Sequence, residues 1–300
     1  MISMETRLER LKKDMNAVIL AHNYQPEEVQ DAADFVGDSL GLSRQAAKTS
    51  ADVILFCGVT FMAETAKILS PGKTVLVPDP TAACPMAAMI NADDMKRLRE
   101  EHPGVPVMAY VNTPAAVKAE SDVCCTSANA IKVAESLDED SIIFIPDKHL
   151  AAYVQSKTEK RMIPWHGYCP THAKILPEHI RMQKEAHPGA KVIVHPECRM
   201  DVIALADAVA STEGMVRLVK ESVAREFIIG TDIAIIHKMR REAPGKSFYP
   251  ASDSASCPNM KKTTIAKMIN ALERKEHEIT VDSEVMARSR KAIERMLELA

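Results

Sequence analysis

Thr81-Ala82-Ala83-Cys84-Pro85-Met86 is echoed twice further along the chain, by Tyr168-Cys169-Pro170-Thr171 and Ser256-Cys257-Pro258-Asn259. Three of the seven cysteines are followed by proline, and they stand 85 and 88 residues apart. One Cys-Pro carries little meaning. Three at nearly even spacing predict a unit repeated three times, each copy delivering one thiol to a shared place.

The strands upstream test this. Ala17-Val18-Ile19-Leu20-Ala21-His22-Asn23-Tyr24 is an unbroken apolar run ending in polar residues, the pattern of a parallel strand buried on both faces. Val105–Asn112 and Lys191–Glu197 match it, each preceded by His-Pro-Gly, at His102 and at His187. This register makes His22, Tyr110 and His195 equivalent, and two residues on Tyr24, Asn112 and Glu197. Seventeen residues after the first set come Ser39, Ser127 and Thr212, and five before each hydroxyl stands an aspartate, Asp34, Asp122 or Asp207. Apolar strands follow at Val53–Phe56, Ile142–Ile145 and Phe227–Ile229, then fourth strands near Val75–Val77, Met162–Trp165 and Ser247–Tyr249. Each unit closes on its Cys-Pro loop, 59 to 62 residues after its first marker.

Alternating strands and helices predict an α/β fold. We expect three similar α/β/α units with small four-stranded parallel sheets, in a pseudo-threefold arrangement around a central active site. Length alone would suggest about two domains of ~150 residues. The repeat instead divides the chain at 1–90, 91–175 and 176–260, with C-terminal helices in 261–300 packing back on the first unit. Amphipathic helices are expected at 4–15, 93–101, 177–186, 261–274 and 283–299.

Composition narrows the function. Hydrophobic residues make up 46% and aromatics only 4%, so the cores must be aliphatic. The 38 basic and 41 acidic residues carry no long block of one sign, which argues against nucleic-acid or membrane-surface partners. The charged N-terminus lacks a signal-peptide core, and no apolar run reaches the ~20 residues of a membrane span. A cytoplasmic protein is expected, with cysteines serving as thiols, ligands or nucleophiles rather than disulfides.

In parallel α/β layers, ligands bind beyond the carboxyl ends of the strands, where all three marker sets fall. Ser39, Ser127 and Thr212 stand at helix starts. Any one alone would be read as an N-cap, but three around one cavity point to a ring for a ligand with two or more carboxylates or phosphates. Glu197, following an apolar strand near histidines, is placed for a raised pKa and general-base work. A lone His or Tyr at a strand end is more often structural. Cys84, Cys169 and Cys257 could be separate buried thiols, or zinc ligands, although structural zinc prefers four ligands and Cys-x-x-Cys pairs. Three converging thiolates suit a [4Fe–4S] cluster one cysteine short of its usual shell, leaving one iron open as a Lewis acid. Cys57, Cys124, Cys125 and Cys198 do not repeat and read as buried apolar residues.

His22-Asn23-Tyr24-Gln25, Gly37-Asp38-Ser39, Tyr110-Val111-Asn112, the stretch ending at Ser127, Trp165 through Cys169, His195-Pro196-Glu197, Ser211-Thr212 and Cys257-Pro258 together resemble the quinolinate synthase family, iron–sulfur enzymes of de novo NAD biosynthesis. The likeness covers nearly the whole chain. It implies a triangular molecule of three α/β domains around a [4Fe–4S] cluster held by Cys84, Cys169 and Cys257. It implies condensation of iminosuccinate with dihydroxyacetone phosphate to quinolinate, with loss of phosphate and two waters. The iminosuccinate would come from an L-aspartate oxidase or dehydrogenase. By the same resemblance His22, Ser39, Tyr110, Asn112, Ser127, His195, Glu197 and Thr212 line the substrate pocket. Glu197 is a base, Tyr24 and His195 assist proton transfer, and the open iron binds a leaving hydroxyl or a substrate carboxylate. His172, three residues after Cys169, fits the family pattern without an assigned role. Some members carry Cys-x-x-Cys at the third cysteine, linked to redox control; Cys257-Pro258-Asn259-Met260 departs from that. Two rival readings are a cluster-dependent hydro-lyase acting on another small polycarboxylate, and a metal or iron–sulfur sensor. The sensor should carry a DNA-binding helix pair or a basic patch, and the sequence shows neither.

Overall fold

The computed structural model describes residues 3–299. The first unit runs α1 (Met4–Asp14), β1 (Ala17–His22), α2 (Glu27–Ala32), β2 (Phe35–Gly37), α3 (Ser39–Lys48), β3 (Val53–Cys57), α4 (Thr60–Leu69) and β4 (Thr74–Leu76). The second runs α5 (Ala92–Glu101), β5 (Val107–Tyr110), α6 (Ala115–Ala119), β6 (Val123–Cys125), α7 (Ala130–Glu135), β7 (Ser141–Ile145), α8 (Lys148–Gln155) and β8 (Arg161–Pro164), with the short α9 (Pro170–Ala173) after it. The third runs α10 (Pro177–Ala186), β9 (Lys191–Val194), α11 (Met200–Ile203), β10 (Ala208–Val209), α12 (Thr212–Glu221), β11 (Glu226–Gly230), α13 (Ile235–Glu242) and β12 (Ser247–Pro250). Two helices close the chain, α14 (Ile265–Arg274) and α15 (Ser283–Glu298).

The repeat is exact in register. Each unit forms one four-stranded parallel sheet in the order second, first, third, fourth strand. Ala17 pairs with Val53, Val107 with Ile143 and Lys191 with Phe227, an offset of 36 residues in every sheet. His22 pairs with Gly37, Tyr110 with Cys125 and Val194 with Val209, an offset of 15. The repeated aspartates are the pins of this register. The carboxylates of Asp34, Asp122 and Asp207 accept from the backbone N–H of Ile19, Val107 and Val192 at 2.8, 2.7 and 2.8 Å. Their own N–H groups donate to the carbonyls of the same three residues. Each aspartate thus clamps the second strand's entry to the first strand, pairing both the N–H and the C=O of one first-strand residue.

Burial explains the apolar runs. Helices cover both faces of each sheet, so Ile19, Leu20, Val107, Met108, Ile142 and Ile143 are inaccessible to water, each such side chain contributing about 1.5–3 kcal/mol. The first and second units share a continuous core, in which Phe56 and Met62 of the first belong with Val107 and Phe144 of the second. The third unit has separate cores on the two faces of its sheet. A largely polar seam joins it to the first unit, where His237 and Arg241 meet Asp31 and Asn23 donates to Thr212.

The C-terminal helices differ from expectation. α14 starts at Ile265 rather than Lys261, capped by Thr264, and packs on α1. α15 does not cover the first unit alone. It lies mainly on α6 and β6 of the second unit, with a smaller contact to α4 of the first. Its buried Ala292, Ile293 and Met296 complete the core shared by those two units, and Arg288 pairs with Glu120 at 2.7 Å. Among the described residues no helix is long and apolar enough to cross a membrane.

Candidate active site

The carboxyl ends of the three sheets face one central cavity of about 70 Å³. All twelve residues singled out from the sequence line it: the thiols of Cys84, Cys169 and Cys257, the strand-end residues His22, Tyr24, Tyr110, Asn112, His195 and Glu197, and the hydroxyls of Ser39, Ser127 and Thr212. The non-repeating Cys57, Cys124, Cys125 and Cys198 are buried elsewhere.

The hydroxyls are not the helix caps. Asp38 caps α3, accepting from Gly41 N–H at 2.8 Å, and Ser211 caps α12, accepting from Gly214 N–H at 3.3 Å. In the second unit the equivalent Thr126 caps no helix but holds a turn, accepting from Ala128 N–H at 3.2 Å, and α7 follows Asn129. Ser39 and Thr212 are therefore the first helical residues, and Ser127 opens the turn before α7. With the caps one residue earlier, these hydroxyls are left to the cavity. Thr212 also accepts from Asn23 Nδ2 at 2.8 Å, which directs its proton elsewhere.

The strand ends follow a common geometry in the first and third units. Tyr24 N–H donates to His22 Nδ1 at 3.2 Å, and Glu197 N–H donates to His195 Nδ1 at 3.3 Å. Burial pushes both imidazoles down to about 3, so they are neutral near pH 7. With Nδ1 accepting, the ring proton sits on Nε2. Both histidines are thus hydrogen-bond donors rather than bases. Burial also raises the Tyr24 and Tyr110 hydroxyls well above their ordinary value, keeping them protonated donors. The Asn112 amide oxygen is buried without a partner, a cost a bound donor would remove.

Glu197 corrects an expectation. Burial alone would raise its pKa, but His172 and the Tyr110 hydroxyl, both at hydrogen-bond distance, outweigh that and hold the carboxyl below the usual carboxylate range. Tyr110 Oη donates to Oε1 at 2.5 Å, and His172 Nδ1 lies 3.0 Å from Oε2. Glu197 is a buried, stabilised anion.

His172 is the centre that sequence reasoning left unassigned. Its Nδ1 also lies 3.1 Å from Cys169 Sγ, its Nε2 lies 2.8 Å from Thr231 Oγ1, and its ring stacks on His195. Thr231 Oγ1 continues to Tyr24 Oη at 2.5 Å. A polar chain therefore runs from Tyr24 through Thr231, His172 and Glu197 to Tyr110, joining all three units. Thr231 and Asp232 follow the end of β11. Their place at the end of a third strand is the sequence signal that marks them.

The donor set fits an iron–sulfur cluster. Three thiols meet at the cavity, and among the described residues no other cysteine lines it. Burial pushes Cys84 up to about 12 and Cys169 well above its ordinary value, so these sulfurs ionise only against a metal's charge. Cys169, His172 and Glu197 also bring one ligand atom each within 4.8 Å of the others, but Nδ1 of His172 sits at hydrogen-bond distance from both other groups, which accounts for the closeness. The backbone holds the loops in place. Asp232 accepts from Cys257 N–H at 2.7 Å and pairs with Lys261 at 2.8 Å. Gly167, two residues before Cys169, passes so close to the Pro146 carbonyl that a Cβ would lie 2.5 Å from its oxygen.

Fold and site together define an α/β enzyme whose active site sits at the axis of a threefold repeat, with three thiols able to hold a metal centre. The family profile described as quinolinate synthetase A protein matches residues 6–298. The chain is 56% identical over 291 residues to quinolinate synthase 1 of Methanosarcina acetivorans, covering 97% of this chain and 96% of that protein. It is 54% identical over 296 residues to the quinolinate synthase of Methanoregula boonei, covering 99% and 98%. It is 54% identical over 291 residues to that of Dehalococcoides mccartyi, covering 97% and 96%. The chain belongs to the quinolinate synthase family, enzymes of NAD biosynthesis.

Proposed function

We propose that this protein condenses iminosuccinate with dihydroxyacetone phosphate, forming quinolinate and releasing phosphate and two waters. The observation that carries this reading is the meeting of three thiols, three hydroxyls and a buried carboxylate in one cavity, each set contributed by all three units or by the ends of their sheets. Cys84, Cys169 and Cys257 would hold a [4Fe–4S] cluster. When bound, the cluster supplies a Lewis-acidic iron for a leaving hydroxyl or a carboxylate.

The chain's own groups do the rest. Ser39, Ser127 and Thr212, with His22 and His195 as Nε2–H donors, bind and orient carboxylate and phosphate oxygens. Asn112 takes a donor from the substrate with its unpartnered amide oxygen. Glu197, already ionised, accepts the proton lost as the new carbon–carbon bond forms, and Tyr110 holds its carboxylate in place. His172, Thr231 and Tyr24 carry a proton towards the leaving hydroxyl. His195 serves as a donor rather than a proton carrier, because its Nδ1 is engaged by backbone.

The test is anaerobic purification followed by assay. A brown protein with about four irons per chain that forms quinolinate and phosphate from the two substrates supports the reading. Cluster-loaded protein that releases no phosphate from dihydroxyacetone phosphate would overturn it.

A further inference from the structure

A second cavity of about 410 Å³ lies outside the helix starts that wall the active site, sharing Asp38 and Ser127 with it. It has room for roughly a dozen water volumes. Arg44 from α3 and Arg217 from α12 line it. They occupy one repeated position, five residues after Ser39 and five after Thr212, and five after Ser127 stands Lys132, exposed beside the lining residues Ala128 and Ile131. Among the described residues, neither arginine has an ion pair or a side-chain hydrogen bond, although most arginines in this chain are paired.

The acids of the same wall do not compensate them. Asp38 is engaged as the α3 cap, and Glu213 is held by Lys238 at 2.5 Å and by Asn23 Nδ2 at 3.0 Å. Two uncompensated guanidinium groups therefore face a cavity that borders the inner hydroxyl ring. Tyr153 and Ser211 supply further polar lining. A guanidinium fork matches phosphate and carboxylate oxygens, and a concave wall concentrates its field.

We propose that this cavity is an outer anion-capture site, in which Arg44 and Arg217 hold a phosphate dianion next to the inner ring. It rests on the substrate reading above only for the identity of that dianion, which is either the phosphoester of the incoming triose phosphate or the phosphate released. Two arms decide the matter. In arginine-selective NMR, the Nε–H signals of Arg44 and Arg217 should shift together and saturate as inorganic phosphate is added. If neither moves, the site does not exist, whether or not the protein makes quinolinate. In steady-state kinetics of the cluster-loaded enzyme, R44Q/R217Q should lose about ten-fold in kcat/KM for the phosphoester at low salt, with kcat unchanged and a flatter ionic-strength dependence. R44K/R217K should recover most of the salt dependence. Weakened phosphate product inhibition at unchanged kcat/KM would assign the capture to leaving phosphate. Wild-type values of both constants would overturn any part for the site in turnover.

Discussion

The Tyr110 hydroxyl, at the end of the second unit's first strand, donates at 2.5 Å to Oε1 of Glu197, just beyond the equivalent strand of the third. Two residues 87 apart in sequence share one proton position, and the bond favours the ionised carboxylate. Replacing Glu197 by Gln should leave iron content intact and lower kcat by at least about 100-fold. Tyr110→Phe should cost roughly 10- to 100-fold, the range of one charge-assisted bond of about 1.5–3 kcal/mol. It should also move the acid limb of the pH–rate profile to higher pH, because Glu197 loses a donor that holds its pKa down. Near-normal turnover of the Gln variant would remove Glu197 from the chemistry.

Iron content reads the cysteine loops. Cys84→Ser should abolish assembly of an intact cluster. Gly167→Ala is the subtler probe, since the added Cβ meets the Pro146 carbonyl oxygen at 2.5 Å and must displace the loop leading to Cys169. It should fold, yet hold less iron and lose it faster to a chelator. Wild-type retention of iron in both variants would refute the assignment.

The aspartate clamps predict a stability effect without a catalytic one. Asp207→Ala strands the buried Val192 N–H, at a cost of about 1–3 kcal/mol measured by urea unfolding. Asp207→Asn keeps a carbonyl acceptor and should cost less. Equal losses for both would place the effect in the charge, through Lys191, rather than in the clamp.

The metal-free protein should lose stability as pH falls below 6.5. His22 and His195 are depressed to about 3 in the folded state, so between 6.5 and 3 the unfolded chain takes up protons that the folded one refuses. Their contribution is complete above 6.5 and declines below it. Glu197 acts only at lower pH, since its stabilisation is lost below the ordinary carboxylate pKa. The thermal midpoint should drop by about 5 °C or more from pH 7 to pH 5, and H22Q/H195Q should flatten that decline. A flat wild-type profile would contradict the burial of two neutral imidazoles.

Much of this was legible in order along the chain. The Cys-Pro loops, the His-Pro-Gly leads and the Asp-to-hydroxyl spacing recur because each unit solves the same local problem: a parallel strand, a clamped crossover and a helix start. Spacing therefore yielded the register that the sheets obey. Other features were not legible because they depend on neighbours from elsewhere. The N-cap role falls on Asp38 and Ser211, a one-residue distinction that spacing does not resolve, and α7 starts three residues after Ser127. Both C-terminal helices carry an apolar stripe, but a stripe does not name its partner, and α15 found the seam between the first two units.

By itself, the sequence determined the three units, the strand ends that meet at the axis and which cysteines converge there, since these follow from periodicity within each repeat. Only the tertiary structure decided the chemical state of the groups. Glu197 is a stabilised anion rather than a raised base, His22 and His195 are neutral donors, and His172 is the hub of the polar chain. A group's charge depends on what desolvates it and what donates to it, and here both come from different units.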